Sequence, residues 1–232
     1  MNNQSNTAET AGRSTRLIMK WILIALVVVG AIYGMIKIVS KGLNPVNQQK
    51  QTAQVDIMSS FTGTEKIKGN PQAKVVVIEY SDFECPACAA YHTLFGDMVT
   101  SYGDKIQFAY RYFPLGQHPV AKLSASVAEA AHRQGKFWEM HNMLFDHQAD
   151  WAGKPDKAKE IFLGYAKVLK LDIAKFNKDI SSAETAAIIE ASYQSGIKYG
   201  VDRTPSLYVN NTRVYDLNLL KKIIDDEIAK NK

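Results

Sequence analysis

Cys85 and Cys88 are the chain's only cysteines, and they stand three positions apart in SDFECPACAAYH, residues 81–92. On a helix such a spacing puts both thiols on one face, close enough to close a small disulfide ring. Pro86 suits the first helical position, where its fixed φ is preorganised and its missing N–H is no loss. Cys85 then meets free backbone N–H groups and the positive end of the helix dipole, which favour thiolate over thiol. Redox exchange follows, with Cys85 as the nucleophile and Cys88, one turn inside, as the resolving thiol. Two other uses of a CxxC pair stay open. A structural zinc site needs four ligands, and the sequence offers no second CxxC and no closely spaced histidine pair. Two inert buried cysteines would not need a proline between them at a strand-to-helix junction.

The flanking pattern supplies that junction. KVVVIEY, from Lys74, is a continuous apolar run with the composition of a buried strand, and a helix is expected from Pro86 to about Ser101. KIQFAYRYF, Lys105 to Phe113, alternates as a second strand should. From about 118 to 199 the pattern is helical, and FWEMHNMLF sets Phe137, Met140, His141, Leu144 and Phe145 on one stripe. SLYV and TRVY flank Asn210-Asn211, a hairpin turn, and LNLLKKIIDDEIAK closes the chain as an amphipathic helix. The order β-α-β, helical block, β-hairpin, α predicts an α/β fold: a thioredoxin-like sheet with an inserted helical domain.

Charge argues against nucleic acid as a partner. The chain carries +5, but Arg13, Arg16, Lys20, Lys37 and Lys41 against Glu9 place +4 of it before position 42, leaving the rest nearly neutral. Leu17 to Val39, LIMKWILIALVVVGAIYGMIKIV, is charged only at Lys20 and Lys37, near its ends. It is expected to be a transmembrane anchor through the lipid bilayer, preceded by a cytoplasmic tail at 1–16. Residues 40–60, rich in Asn, Gln and Ser, read as a flexible linker. Such a tether spans roughly 25 Å. A single early span points to a signal anchor, with the domain at 61–232 on the extracytoplasmic side. His92, His118, His132, His141 and His147 match no ligand spacing. No metal site is expected, and the histidines read as helix-surface or capping residues.

VVVIEYSDFECPACAAYH, YRYFPL followed by HPVA, QGKFWEMHNMLF and GVDRTPSLYVNN, in this order, resemble the DsbA-like thiol-disulfide oxidoreductases of bacterial and archaeal envelopes. The resemblance covers about residues 65–230. It implies that Thr204-Pro205 is a cis-proline loop facing the sulfurs, with the backbone of Thr204 free to pair with an extended substrate. Pro86 and Ala87 would complete that substrate face. It also implies that Glu79 is a carboxylate beneath the site that helps move the proton of Cys88, although a strand-end glutamate facing water fits the same position. Where the most oxidising relatives have histidine, this chain has Ala87, which neither donates to the thiolate nor adds charge. A potential between about −120 and −230 mV is expected.

The function these readings imply is a membrane-anchored enzyme that introduces disulfides into reduced, unfolded exported proteins. The Cys85–Cys88 disulfide is its only redox group and no further cofactor is needed. Its reoxidant, by resemblance, is a quinone-linked membrane thiol oxidase. The same residues could serve a reductase or isomerase. A copper-binding thiol chaperone would need a third soft or imidazole ligand, and only His92 is near in sequence.

Overall fold

The computed structural model describes residues 21, 23–24, 26–35, 37, 52–61 and 65–231. The chain divides into two compact units, Met1–Gln49 and Lys50–Lys232. In the first, every described residue is helical, and Trp21, Leu23, Leu26, Val27 and Val29 are among its exposed apolar side chains. No helix among the described residues is long and apolar enough to cross a membrane. The tail expected at 1–16 lies outside the described residues, as do parts of the 17–39 span.

The second unit is built on one sheet. Its strands are β1 (Thr52–Gln54), β2 (Lys66–Gly69), β3 (Val75–Ser81), β4 (Ile106–Tyr112), β5 (Ser206–Val209) and β6 (Thr212–Val214). Among the described residues their order is β1-β6-β5-β3-β4-β2. Among these described strands only β3 and β4 run parallel, joined by helix α1 (Pro86–Tyr102), as a β-α-β unit requires. Between β4 and β5 come α2 (Ala121–His132), α3 (Phe137–Asp146), α4 (Gln148–Trp151), α5 (Pro155–Val168), α6 (Ile173–Ile180) and α7 (Ala183–Lys198). The β5–β6 hairpin turns at Asn210, whose φ is +49°, and α8 (Leu220–Lys230) ends the chain.

Strand β3 is buried at every position because both faces of the sheet are covered. On one face Val75 and Val77 pack with Phe95 and Val99 of α1 and Leu220 and Ile224 of α8. On the other, Val76, Ile78 and Tyr80 pack with Phe113, Tyr208 and Ile57. The helical insertion packs around Met140, Leu144, Trp151, Phe162 and Phe176 in a core that continues to Tyr110 and Tyr112 of β4 and to both cysteines. It is clamped to the sheet at Gly196 of α7, where an added Cβ would come within 2.5 Å of the Phe113 ring.

Two expectations are corrected here, and one strand was not foreseen. The linker predicted over 40–60 gives way to folded chain by Thr52: β1 pairs with β6, and Ile57 is 0% exposed in the core. A short strand and one turn of 3-10 helix over Met58–Ser60 are too brief to leave a periodicity. Strand β4 is buried on both faces rather than alternating. Its polar residues are absorbed by partners: Arg111 Nη1 donates to Tyr80 Oη at 2.8 Å, and its Nη2 reaches Glu65 Oε1 at 2.8 Å. Finally, β2 had no sequence signal. Lys66–Gly69 is polar at alternate places and acquires its strand form from pairing with β4.

Candidate active site

The two thiols sit where β3 hands the chain to α1. Cys85 is the N-cap of α1, with φ −72° and ψ 121°, and Pro86 occupies the first turn. Both cysteines are free thiols and both are buried, Cys88 completely and Cys85 to within 7%. Pro86 and Ala87 between them are exposed. The Cys85 thiol is held at about 5, far below its ordinary 9.0. The first cause is a hydrogen bond from Cys88, joined against the cost of burial by the Thr204 side chain and the backbone N–H groups of Cys88 and Ala87. Cys88 moves the opposite way. Burial, its bond to Cys85 and the nearby Glu79 push it well above its usual range. One thiol is therefore a thiolate at neutral pH and its neighbour keeps its proton.

Across from the sulfurs, the Thr204-Pro205 bond is cis. Cys85 Sγ lies 3.4 Å from the Thr204 carbonyl oxygen, to which it donates only while it carries its proton. The Thr204 hydroxyl is buried with no other partner. Half-buried Pro205 and exposed Pro86 and Ala87 complete the rim. Beneath the pair, Glu79 is 2% exposed, and burial raises its carboxyl to about 7. The structure thus excludes the water-facing placement that the sequence left open for Glu79. Its alternation on β3 with Val77 puts it on the face covered by α1.

The loop before Cys85 carries residues that the sequence did not single out. Asp82 Oδ1 accepts the Glu84 N–H at 2.8 Å, while Oδ2 accepts the Leu115 N–H at 2.9 Å and lies 2.7 Å from His118 Nδ1. Glu84 accepts from the Val120 N–H at 2.6 Å and the Gly153 N–H at 2.7 Å. Gln148 donates from one nitrogen to the carbonyls of Phe83 and Cys85, at 2.7 and 3.0 Å. Two buried carboxylates and an amide thus pin residues 82–85 to the helical insertion. Two acidic residues in DFEC, so near a buried strand, were the available signal.

Two histidines depart from the helix-surface or capping reading. His118 supports Asp82 rather than capping a helix. His141 is no surface residue: it is 7% exposed among Phe83, Tyr110, Phe137 and Phe145, and burial drives it down to about 3. His92 Nε2 lies 2.9 Å from Asp146 Oδ1 and links α1 to α3.

The family described as Thioredoxin matches residues 61–226, most of the second unit. The chain belongs to the thioredoxin family. Among solved structures, this thioredoxin-family chain is similar to a thioredoxin-like oxidoreductase from Silicibacter pomeroyi DSS-3, with 26% identity and a TM-score of 0.62 over 78% of this chain and 99% of that one. It shares its fold with BdbD from Bacillus subtilis in the oxidised state, at 22% identity and a TM-score of 0.62 over 77% of this chain and 97% of the other. The fold is that of a thioredoxin-like oxidoreductase. A Na(+)/H(+) antiporter NhaA 1 from Salinispora arenicola is 35% identical over 169 residues, 71% of this chain and 25% of that protein. The chain spans about a quarter of the length of the curated relatives it matches.

Proposed function

We propose that this oxidoreductase is a membrane-tethered donor of disulfides to exported proteins, with Cys85 and Cys88 as its redox couple. The observation that carries the reading is the split between the two thiols, one lowered to about 5 and the other raised by burial. Stabilising the Cys85 thiolate stabilises the reduced form, and a couple whose reduced form is stabilised is oxidising. A potential between about −120 and −230 mV suits that role.

The exchange proceeds in two displacements. A substrate thiolate attacks Cys85 Sγ of the disulfide; the new S–S bond joins substrate to Cys85, and Cys88 leaves and takes a proton from Glu79. A second substrate thiolate then attacks the substrate's own sulfur in the mixed disulfide and expels Cys85 as a thiolate. The substrate is oxidised by two electrons and the enzyme pair reduced. Of the two substrate protons, one is retained on the enzyme pair and one goes to solvent. The Thr204 backbone beside Pro86, Ala87 and Pro205 offers an extended chain an edge to lie against. A quinone-linked membrane thiol oxidase would accept the electrons and restore the disulfide.

Exposed apolar side chains among the N-terminal helical residues, Trp21 to Met35, support an anchor through residues 17–39, and export of the substrates requires the catalytic unit to work on the extracytoplasmic face. The test is a Cys88→Ala variant of the full chain expressed in its own host. Covalent adducts of exported proteins at Cys85, released by reductant, are the expected result. Wild-type levels of the variant without adducts would overturn the reading.

A further inference from the structure

The loop from Gly200 to Thr204, between α7 and β5, brings Thr204 against Cys85, yet its own backbone does little to hold it there. Val201 is fixed at the entry, where its N–H donates to the Gly196 carbonyl at 2.8 Å and its side chain is buried. Beyond it, among the described residues, Asp202, Arg203 and Thr204 make no backbone–backbone hydrogen bond. A side chain from β6 fastens them instead. The Arg213 guanidinium donates from Nη1 to the Gly200 carbonyl, and from Nη2 to Asp202 Oδ1 at 2.7 Å. We propose that Arg213 is a positioning residue for thiol exchange: by forking across Gly200 and Asp202 it sets the place of Thr204 opposite the sulfur. The proposal rests on Cys85 being the exchanging thiol, and it adds what holds the wall facing that thiol.

Arg213 is itself firmly placed. It is 7% exposed, across from Ala53 of β1 on one side and Tyr208 of β5 on the other. Its guanidinium lies 4.6 Å from the centroid of the Tyr215 ring and 5.9 Å from that of Tyr208. A charge so enclosed is costly without acceptors, and the acceptors it has are those of the loop. Gly200 suits the contact, with φ at +79° and room for a Cβ only 3.4 Å from Nη1. Ser206 Oγ assists at the far end by donating to the Arg203 carbonyl at 2.7 Å.

Arg203 also reaches Asp202, with Nη2 at 3.1 Å, but it is exposed and stands on the same loop, so it cannot tie that loop to the sheet. Hydrogen bonds from Arg203 and then Arg213 hold the Asp202 carboxyl at about 2, which keeps it charged wherever the enzyme works. What the clamp secures is Thr204. Its hydroxyl helps to hold the Cys85 thiol low, and its backbone is the edge offered to substrate. Releasing the clamp should therefore register at the sulfur and at the substrate edge together.

Arg213→Met in the full-length chain keeps the reach of the side chain and removes every donor. The ultraviolet titration of the Cys85 thiolate should move up by on the order of half a unit. KM for a dithiol peptide should rise about tenfold, with kcat changing less than KM. Arg213→Lys keeps the charge but cannot fork across two acceptors, so both readings should fall between those of Arg213→Met and wild type. A full return to wild type in Arg213→Lys would assign the effect to charge and overturn the positioning role. Asp202→Asn, at an exposed position, repeats the measurement should Arg213→Met lose its fold. A folded Arg213→Met or Asp202→Asn protein that melts lower but keeps the wild-type titration and KM would overturn the proposal, since that is the mark of a structural role alone. Failure of the exchange reading shows separately, in the wild-type protein: Cys85 titrating at its ordinary 9.0 and inert to the peptide.

Discussion

At the scale of single residues, the chemistry follows from one sulfur being charged at neutral pH. Cys85 titrates at about 5 in the folded reduced protein against an ordinary 9.0. Because the folded value is depressed, its contribution to stability is complete above pH 9, declines as the pH falls and is gone below about 5. Glu79 is raised to about 7 from 4.5 and works the other way, its contribution present below 4.5 and lost through 7. Burial is the main cause for Glu79 and acts in both redox states, so it largely cancels when the two are compared. The melting temperature of the reduced chain relative to the oxidised one should therefore fall between pH 8 and pH 5, as calorimetry of both forms would show. A flat difference across that range would contradict the thiolate. The second residue between the cysteines sets how far the shift goes. Ala87→His adds a donor beside the sulfur, so the Cys85 titration should drop by on the order of one unit. Equilibration with glutathione should then give a potential higher by about 30 mV.

At the scale of elements, what matters is how the segment carrying Cys85 is held. Glu84 is 4% exposed and takes one hydrogen bond from the start of α2 and one from the loop after α4. Glu84→Ala leaves the buried Val120 N–H unpaired and hands the exposed Gly153 N–H to water, so it should cost about 1 to 3 kcal/mol in denaturant unfolding, with Glu84→Gln recovering part of it. The sequence made some of this legible. Cys85, Pro86 and Cys88 announced a strand-to-helix junction because apolar run, proline and helix-like pattern meet there, and Asn210 announced its hairpin through its tolerance of positive φ. Asp82 and Glu84 were visible as acids beside a buried strand, but what they and Gln148 hold was not legible, because those partners lie 33 to 69 positions away and no local pattern records a bond to a distant backbone. His141 was misread for a related reason: its stripe of apolar neighbours was visible, but a ring closed in on every side by aromatics from other elements was not.

At the scale of the whole molecule, the exposed apolar helix of the first unit and the folded second unit, Lys50–Lys232, set up a division of labour. The full chain should stay with membranes through an alkaline carbonate wash, and a chain cut at Lys50 should be released while keeping its thiol chemistry. Release of the full chain would remove the anchor. The position of such a cut is more sensitive than the family match suggests, because that match starts at Phe61. A chain trimmed to that residue loses β1, which covers the outer edge of β6, and Ile57, which fills a place beneath Val76 and Ile78. It would present a raw strand edge above a hole, the usual start of strand-to-strand aggregation. Recovery of the trimmed protein should therefore fall into inclusion bodies, whereas a chain begun ten residues earlier stays in solution.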